Sequence, residues 1–101
     1  MIGKYVIVRS NVAGVHAGLV EQYEFGKSAV VLKNAYRLWR VFTRDKSGSI
    51  SDVAANGLMP GKEHQIGARL ATVAIENPQG LEIAEMTEEA YKSLAEWVKD
   101  G

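Results

Sequence analysis

Apolar residues in the first 43 positions fall into short runs and period-two alternations, and a helical period appears only near the end of the chain. Residues 4–10 (KYVIVRS) are almost continuously apolar and rich in β-branched side chains, which predicts a strand. Residues 11–18 carry two glycines and no clear period, so they read as a turn or short loop. A second strand is expected over 19–25, with Val20 and Gln22 opposed to Leu19, Glu21 and Tyr23, and Gly26-Lys27 turns it back. Strands over 28–33 and 35–43 follow, joined by a tight turn at Lys33-Asn34. Residues 45–49 are loop. A short helix over 50–56 is capped by Ser49 or Ser51 and ended by Gly57 as a left-handed residue.

Residues 58–65 form a connection, and 67–75 read as a strand with Arg69, Ala71, Val73 and Ile75 on one side. Asn77-Pro78-Gln79-Gly80 is a strong turn signal, so 81–86 are expected to return as the second strand of a hairpin. Thr87 caps a terminal helix whose apolar stripe is Tyr91, Leu94, Ala95 and Val98. The expected architecture is one α+β domain over 1–101: a small, mostly antiparallel sheet or partly open barrel, a short inserted helix and a C-terminal helix.

The strand over 35–43 alternates unusually. Ala35, Arg37, Trp39 and Val41 share one face, while Tyr36, Leu38, Arg40 and Phe42 share the other. Each face thus pairs a cation with an aromatic ring, although a strand burying one face would keep both arginines on its wet side. A partner with anionic groups and flat surfaces suits such a strand.

Composition narrows the function classes. At 101 residues with 47% hydrophobic and 24% charged positions, the chain is an ordinary soluble globule able to bury a core. It has no cysteine, so disulfides and thiolate metal sites are excluded and a cytoplasmic location fits. No apolar run approaches ~18 residues, and neither a transmembrane span nor a signal peptide is expected. The zero net charge divides unevenly: 1–66 hold nine Lys/Arg against five Asp/Glu, and 67–101 hold three against seven. Within 27–46 there are six cations and one anion, a local excess that attracts phosphate. The neutral total argues against duplex DNA.

Several chemical signals fail on spacing. Gly26-Lys27-Ser28 resembles the end of a P-loop, but Glu21 stands where the first glycine belongs and a strand follows in place of a helix. Counted from Asp45 as a calcium loop, the sixth position is Ile50 and the twelfth Asn56, not glycine and glutamate. His16 lies in a glycine-bracketed loop, where it could bond a ligand or sit half-buried. His64, beside Lys62 and Glu63, reads as exposed. No triad, carboxylate pair or metal-ligand spacing is visible, so no catalysis, metal or cofactor is expected.

What remains is a binding constellation: Arg9, the Ala13-Gly14-Val15-His16 segment, the strand with Tyr36, Arg37 and Trp39, and the serines Ser49 and Ser51. Rings stack on bases, arginines grip phosphates in planar forks, and backbone amides and serine hydroxyls at a helix start hold phosphate oxygens.

The order Val-Ile-Val-Arg-Ser, Ala-Gly-Val-His-Ala-Gly and Asn-Ala-Tyr-Arg-Leu-Trp, continuing through Ser49-Ile50-Ser51 to the Thr87-Glu88-Glu89 helix start, resembles a family of phage and prophage proteins of about 100 residues, long a domain of unknown function. That family in turn resembles the phage sponges that counter CBASS immunity. The resemblance implies a homo-oligomer, dimer or tetramer, that binds cyclic oligonucleotides such as 3′,3′-cyclic GMP-AMP at subunit interfaces without cleaving them, in the cytoplasm of an infected bacterium. It implies a ligand site built from Arg9, His16, Tyr36, Arg37, Trp39, Ser49 and Ser51. Two other readings suit the same residues: a protein-interaction module docking its basic strand on an acidic host protein, and a single-stranded nucleic-acid binder.

Overall fold

A computed structural model describes residues 1–11, 13–24, 26, 28–43 and 50–100. Six strands and two helices follow in the order β1 (Tyr5–Ser10), β2 (Gly14–Glu24), β3 (Ala29–Arg40), α1 (Ile50–Asn56), β4 (Gln65–Ile66), β5 (Leu70–Glu76), β6 (Glu82–Glu85) and α2 (Glu88–Asp100). The sheet is antiparallel and unclosed, with the path β4-β3-β2-β1-β6; β5 lies along the same edge of β3 as β4, further toward its start. The expected α+β architecture is the one observed.

Two glycines explain why β2 is longer than expected. Residues 11–18 read as loop because glycine weakens a strand, yet Gly14–Leu19 pair fully with β1. Gly14 opens the strand at φ +81, and a Cβ on Gly18 would sit 3.0 Å from that of Ala35 on β3. Glycine here permits close strand approach, the other meaning it has within a sheet.

The turn expected at Lys33-Asn34 does not exist, because β3 runs unbroken through it. Leu19 faces Lys33 and Ala17 faces Tyr36, so β3 spends one more residue than β2 across that step. Asn34 takes up the excess at φ +50, a left-handed conformation that asparagine tolerates. Its carbonyl accepts a hydrogen bond from the Tyr91 hydroxyl on α2. The bulge transfers the buried set from one face to the other. Val30, Leu32 and Ala35 pack in one core cluster, whereas Tyr36 and Leu38 pack in a second.

The second cluster lies under the helices. Ile7, Ala17, Tyr36 and Leu38 of the sheet meet Val53, Ala54 and Leu58 from around α1 and Ala90, Tyr91 and Leu94 of α2. Tyr5 and Tyr91 stack with ring centroids 4.2 Å apart. Gly57 ends α1 at φ +75, and a Cβ there would come within 2.5 Å of Ser93 Oγ on α2. Thr87 caps α2 as expected, its Oγ1 accepting the Ala90 amide at 3.0 Å.

The first cluster fills the curl of the sheet: Val6, Val8, Val20, Val30, Leu32, Ala35 and Ile75, joined by Leu81 and Ile83. Here the expected hairpin between residues 67–75 and 81–86 is corrected. β5 pairs with β3 and β6 with β1, at separate edges of the sheet. The turn after β5 bridges those edges. Asn77 is buried, its amide donates to the Ser28 carbonyl at 3.1 Å, and its Nδ2 donates to Ser10 Oγ at 3.2 Å.

Candidate functional site

The face of β3 that carries Arg37 and Trp39 has no helix over it. Trp39 is 62% exposed, and the Arg37 guanidinium carbon lies 3.7 Å from the centroid of its ring. Stacking of this kind fixes an arginine in one plane while leaving its N–H donors free at the rim. Two glycines make room for it. A Cβ on Gly14 would lie 3.0 Å from Arg37 Nη2, and Gly67 donates its amide to the Arg37 carbonyl at 2.8 Å. Gly67 also lies beside the indole nitrogen, so the pair is flanked on both sides by bare backbone. A larger residue at Gly14 would dislodge the guanidinium.

His16 is the cross-strand partner of Arg37 and is 5% exposed. Its Nδ1 is buried with no hydrogen-bond partner among the described residues. Burial first, and the Arg37 charge second, hold its imidazole below the usual value of 6.5. The imidazole is therefore neutral at pH 7. The unpartnered Nδ1 is sealed from solvent, beside the half-buried Arg37. On its other side, Trp39 borders a cleft of about 250 Å³ formed with Val15, Leu38, Arg40, Ile50 and Val53.

The sequence-derived residues divide between the two faces of the sheet. His16, Arg37 and Trp39 come together. Arg9 lies on the opposite face, across from Val15, and its Nη2 pairs with Glu82 at 3.1 Å. Tyr36 is buried under the helices, 6.0 Å from the Tyr91 ring. Ser51 is exposed on α1, and Ser49 lies outside the described residues. The cation-and-ring pairing read on each face of the strand is present on both: beside Arg37 and Trp39, the Arg40 guanidinium lies 5.1 Å from the Phe42 ring.

His64 is a correction, because it is buried at 4% exposure. Its Nδ1 accepts the Phe42 amide at 3.1 Å, and its Nε2 lies 3.0 Å from the Met59 carbonyl, which fixes the proton on Nε2. Trp97 meets the ring edge-on at 5.5 Å. This histidine ties Phe42 to Met59, and both its nitrogens are engaged.

Gly14 was part of the Ala13–His16 segment read from sequence, without its role of making room for Arg37, whereas Gly67 escaped that reading. Nothing local in the sequence marked Gly67. Among the described residues, no three His, Asp or Glu side chains gather closely enough to hold a metal ion, and no helix is long and apolar enough to cross a membrane.

The family model described as domain of unknown function (DUF6948) matches residues 3–94, and the chain belongs to that family. No curated protein and no solved structure matches it.

Proposed function

We propose that this protein binds cyclic oligonucleotide second messengers, such as 3′,3′-cyclic GMP-AMP, and withholds them from a bacterial CBASS defence without cleaving them. The observation that carries the reading is the stack of Arg37 on the exposed Trp39 ring. The outer face of the indole offers a stacking surface for a base, and the guanidinium edge offers a planar fork for a phosphate. His16 shares this face as the cross-strand neighbour of Arg37, but its Nδ1 is sealed from solvent and is not offered to the ligand. Arg9, Tyr36 and Ser51 lie elsewhere and are left out of this site.

Magnitude argues for an oligomer. Sequestration at nanomolar levels needs about 12 kcal/mol. One ring stack and one arginine–phosphate contact supply roughly 3–6 kcal/mol before the cost of association. A cyclic dinucleotide carries two bases and two phosphates in near-twofold arrangement, so a site repeated across a subunit twofold doubles each contact. Trp39 and Leu70 are the large exposed side chains on this face of the sheet, and a second subunit would cover them.

The experiment is incubation with a panel of cyclic dinucleotides, followed by heat release and mass analysis of the ligand. The expected result is a thermal shift with at least one ligand and its intact recovery. Linear product would identify a phosphodiesterase. The absence of a shift with every nucleotide, with co-purification of an acidic host protein, would favour the interaction module.

A further inference from the structure

We propose that a second cleft, on the helix-covered side of the sheet, is an anion site for a small phosphate ester. It encloses about 350 Å³ and is lined by Tyr36, Arg69, Ala95, Val98 and Lys99. It sits between the last turns of α2 and the edge of β3 just ahead of β5, across the sheet from Arg37 and Trp39.

Three observations define its chemistry. Tyr36 is 5% exposed, yet its hydroxyl makes no hydrogen bond among the described residues, whereas that of neighbouring Tyr91 donates to the Asn34 carbonyl. A tyrosine this deeply set normally finds a partner for its hydroxyl. The atom is also not sealed away, because His16 Nδ1 is the buried side-chain nitrogen or oxygen lacking a partner among the described residues. The Tyr36 hydroxyl therefore keeps its access through the cleft it lines.

The rim supplies the charge. Arg69 and Lys99 are both exposed, and neither forms an ion pair among the described residues. Arg69 lies near enough to Tyr91 to oppose the rise of that phenol's pKa, which burial pushes up to about 12. Its guanidinium is therefore within electrostatic range of Tyr91 while the side chain remains exposed. Two cations and one hydroxyl donor converge on one opening, a donor set that matches the several acceptor oxygens of a phosphate.

The wall supplies the selectivity. Ala95 and Val98 present an apolar surface beside the charged rim, which bare phosphate cannot use and an attached organic group can. The volume suits a small ligand.

Phenyl phosphate is a suitable probe, titrated into the full chain while backbone amide resonances are followed by NMR. Saturable shifts are expected at Arg69, Ala95, Val98 and Lys99, with inorganic phosphate binding several-fold more weakly. Arg69→Gln combined with Lys99→Gln should weaken binding tenfold or more, consistent with the loss of charge-assisted hydrogen bonds. Tyr36→Phe, which keeps the buried ring, should weaken it several-fold with an otherwise native spectrum. No saturable shift at these amides, or full affinity in the double variant, would overturn the site; equal binding of inorganic phosphate would overturn the ester. Trp39→Ala should leave phenyl phosphate binding unchanged, so this proposal and the one for the opposite face can fail separately.

Discussion

Arg37 and Trp39 are each ordinary for a strand surface, and their stacking is what makes them a site. Trp39→Ala should weaken cyclic dinucleotide binding by the value of one stack, about 1–3 kcal/mol or roughly 5- to 150-fold. It should scarcely change the denaturation midpoint, because an indole 62% exposed adds little to the core. An equal loss of stability and affinity would instead make Trp39 a packing residue. His16 gives a prediction in pH. Burial and Arg37 lower its folded-state pKa below 6.5, so the unfolded chain takes up a proton that the folded chain resists. Stability should therefore be full above about pH 6.5 and fall on acidification until the folded-state pKa is passed. The urea midpoint should drop more between about pH 7.5 and 5.5 for the wild type than for His16→Leu. Equal drops would contradict the account. The alternation of residues 35–42 placed Arg37 and Trp39 on one face from sequence alone, and the structure agrees. The same reasoning failed for His64, whose charged neighbours Lys62 and Glu63 concealed a ring that caps a distant backbone amide. A contact across 22 positions leaves no trace in local pattern.

At the scale of elements, the helices were legible because their signals are local: Thr87 as cap, Gly57 as terminator, a 3.6-residue stripe in α2. β3 was not. A polar Lys33-Asn34 pair between apolar runs has the same composition whether the chain reverses or bulges, and only the partner strand decides between them. Asn34 can be tested directly. At φ +50 a β-branched side chain is strained, so Asn34→Val should cost about 1–2 kcal/mol, whereas Asn34→Gly should be near neutral. Chemical denaturation of both variants measures the difference, and equal stabilities would mean that the left-handed residue is not there. The bulge also sets the site, because it determines that Arg37 and Trp39 leave the sheet on the face away from the helices.

The whole molecule is a curled sheet held at its seam by a buried asparagine. Asn77 ties the turn after β5 to β1 through Ser10 and to the start of β3 through Ser28. Asn77→Ala would leave Ser10 with one polar neighbour fewer and should cost about 1–3 kcal/mol, read as a lower urea midpoint with the fold retained. Pairing of β5 with β3 and not with β6 is the part of the topology the sequence hid, since a tight turn between two strands ordinarily makes a hairpin. The Arg37–Trp39 end of one face of β3 has no helix over it, and the ligand is placed there. The chain has two tryptophans, so Trp97→Phe makes Trp39 the sole reporter of that face. The decisive measurement is the fluorescence of this variant during titration with 3′,3′-cyclic GMP-AMP. Saturable quenching that Arg37→Ala weakens at least tenfold is the predicted result. Unchanged emission from folded protein at every concentration of a cyclic dinucleotide panel would contradict it.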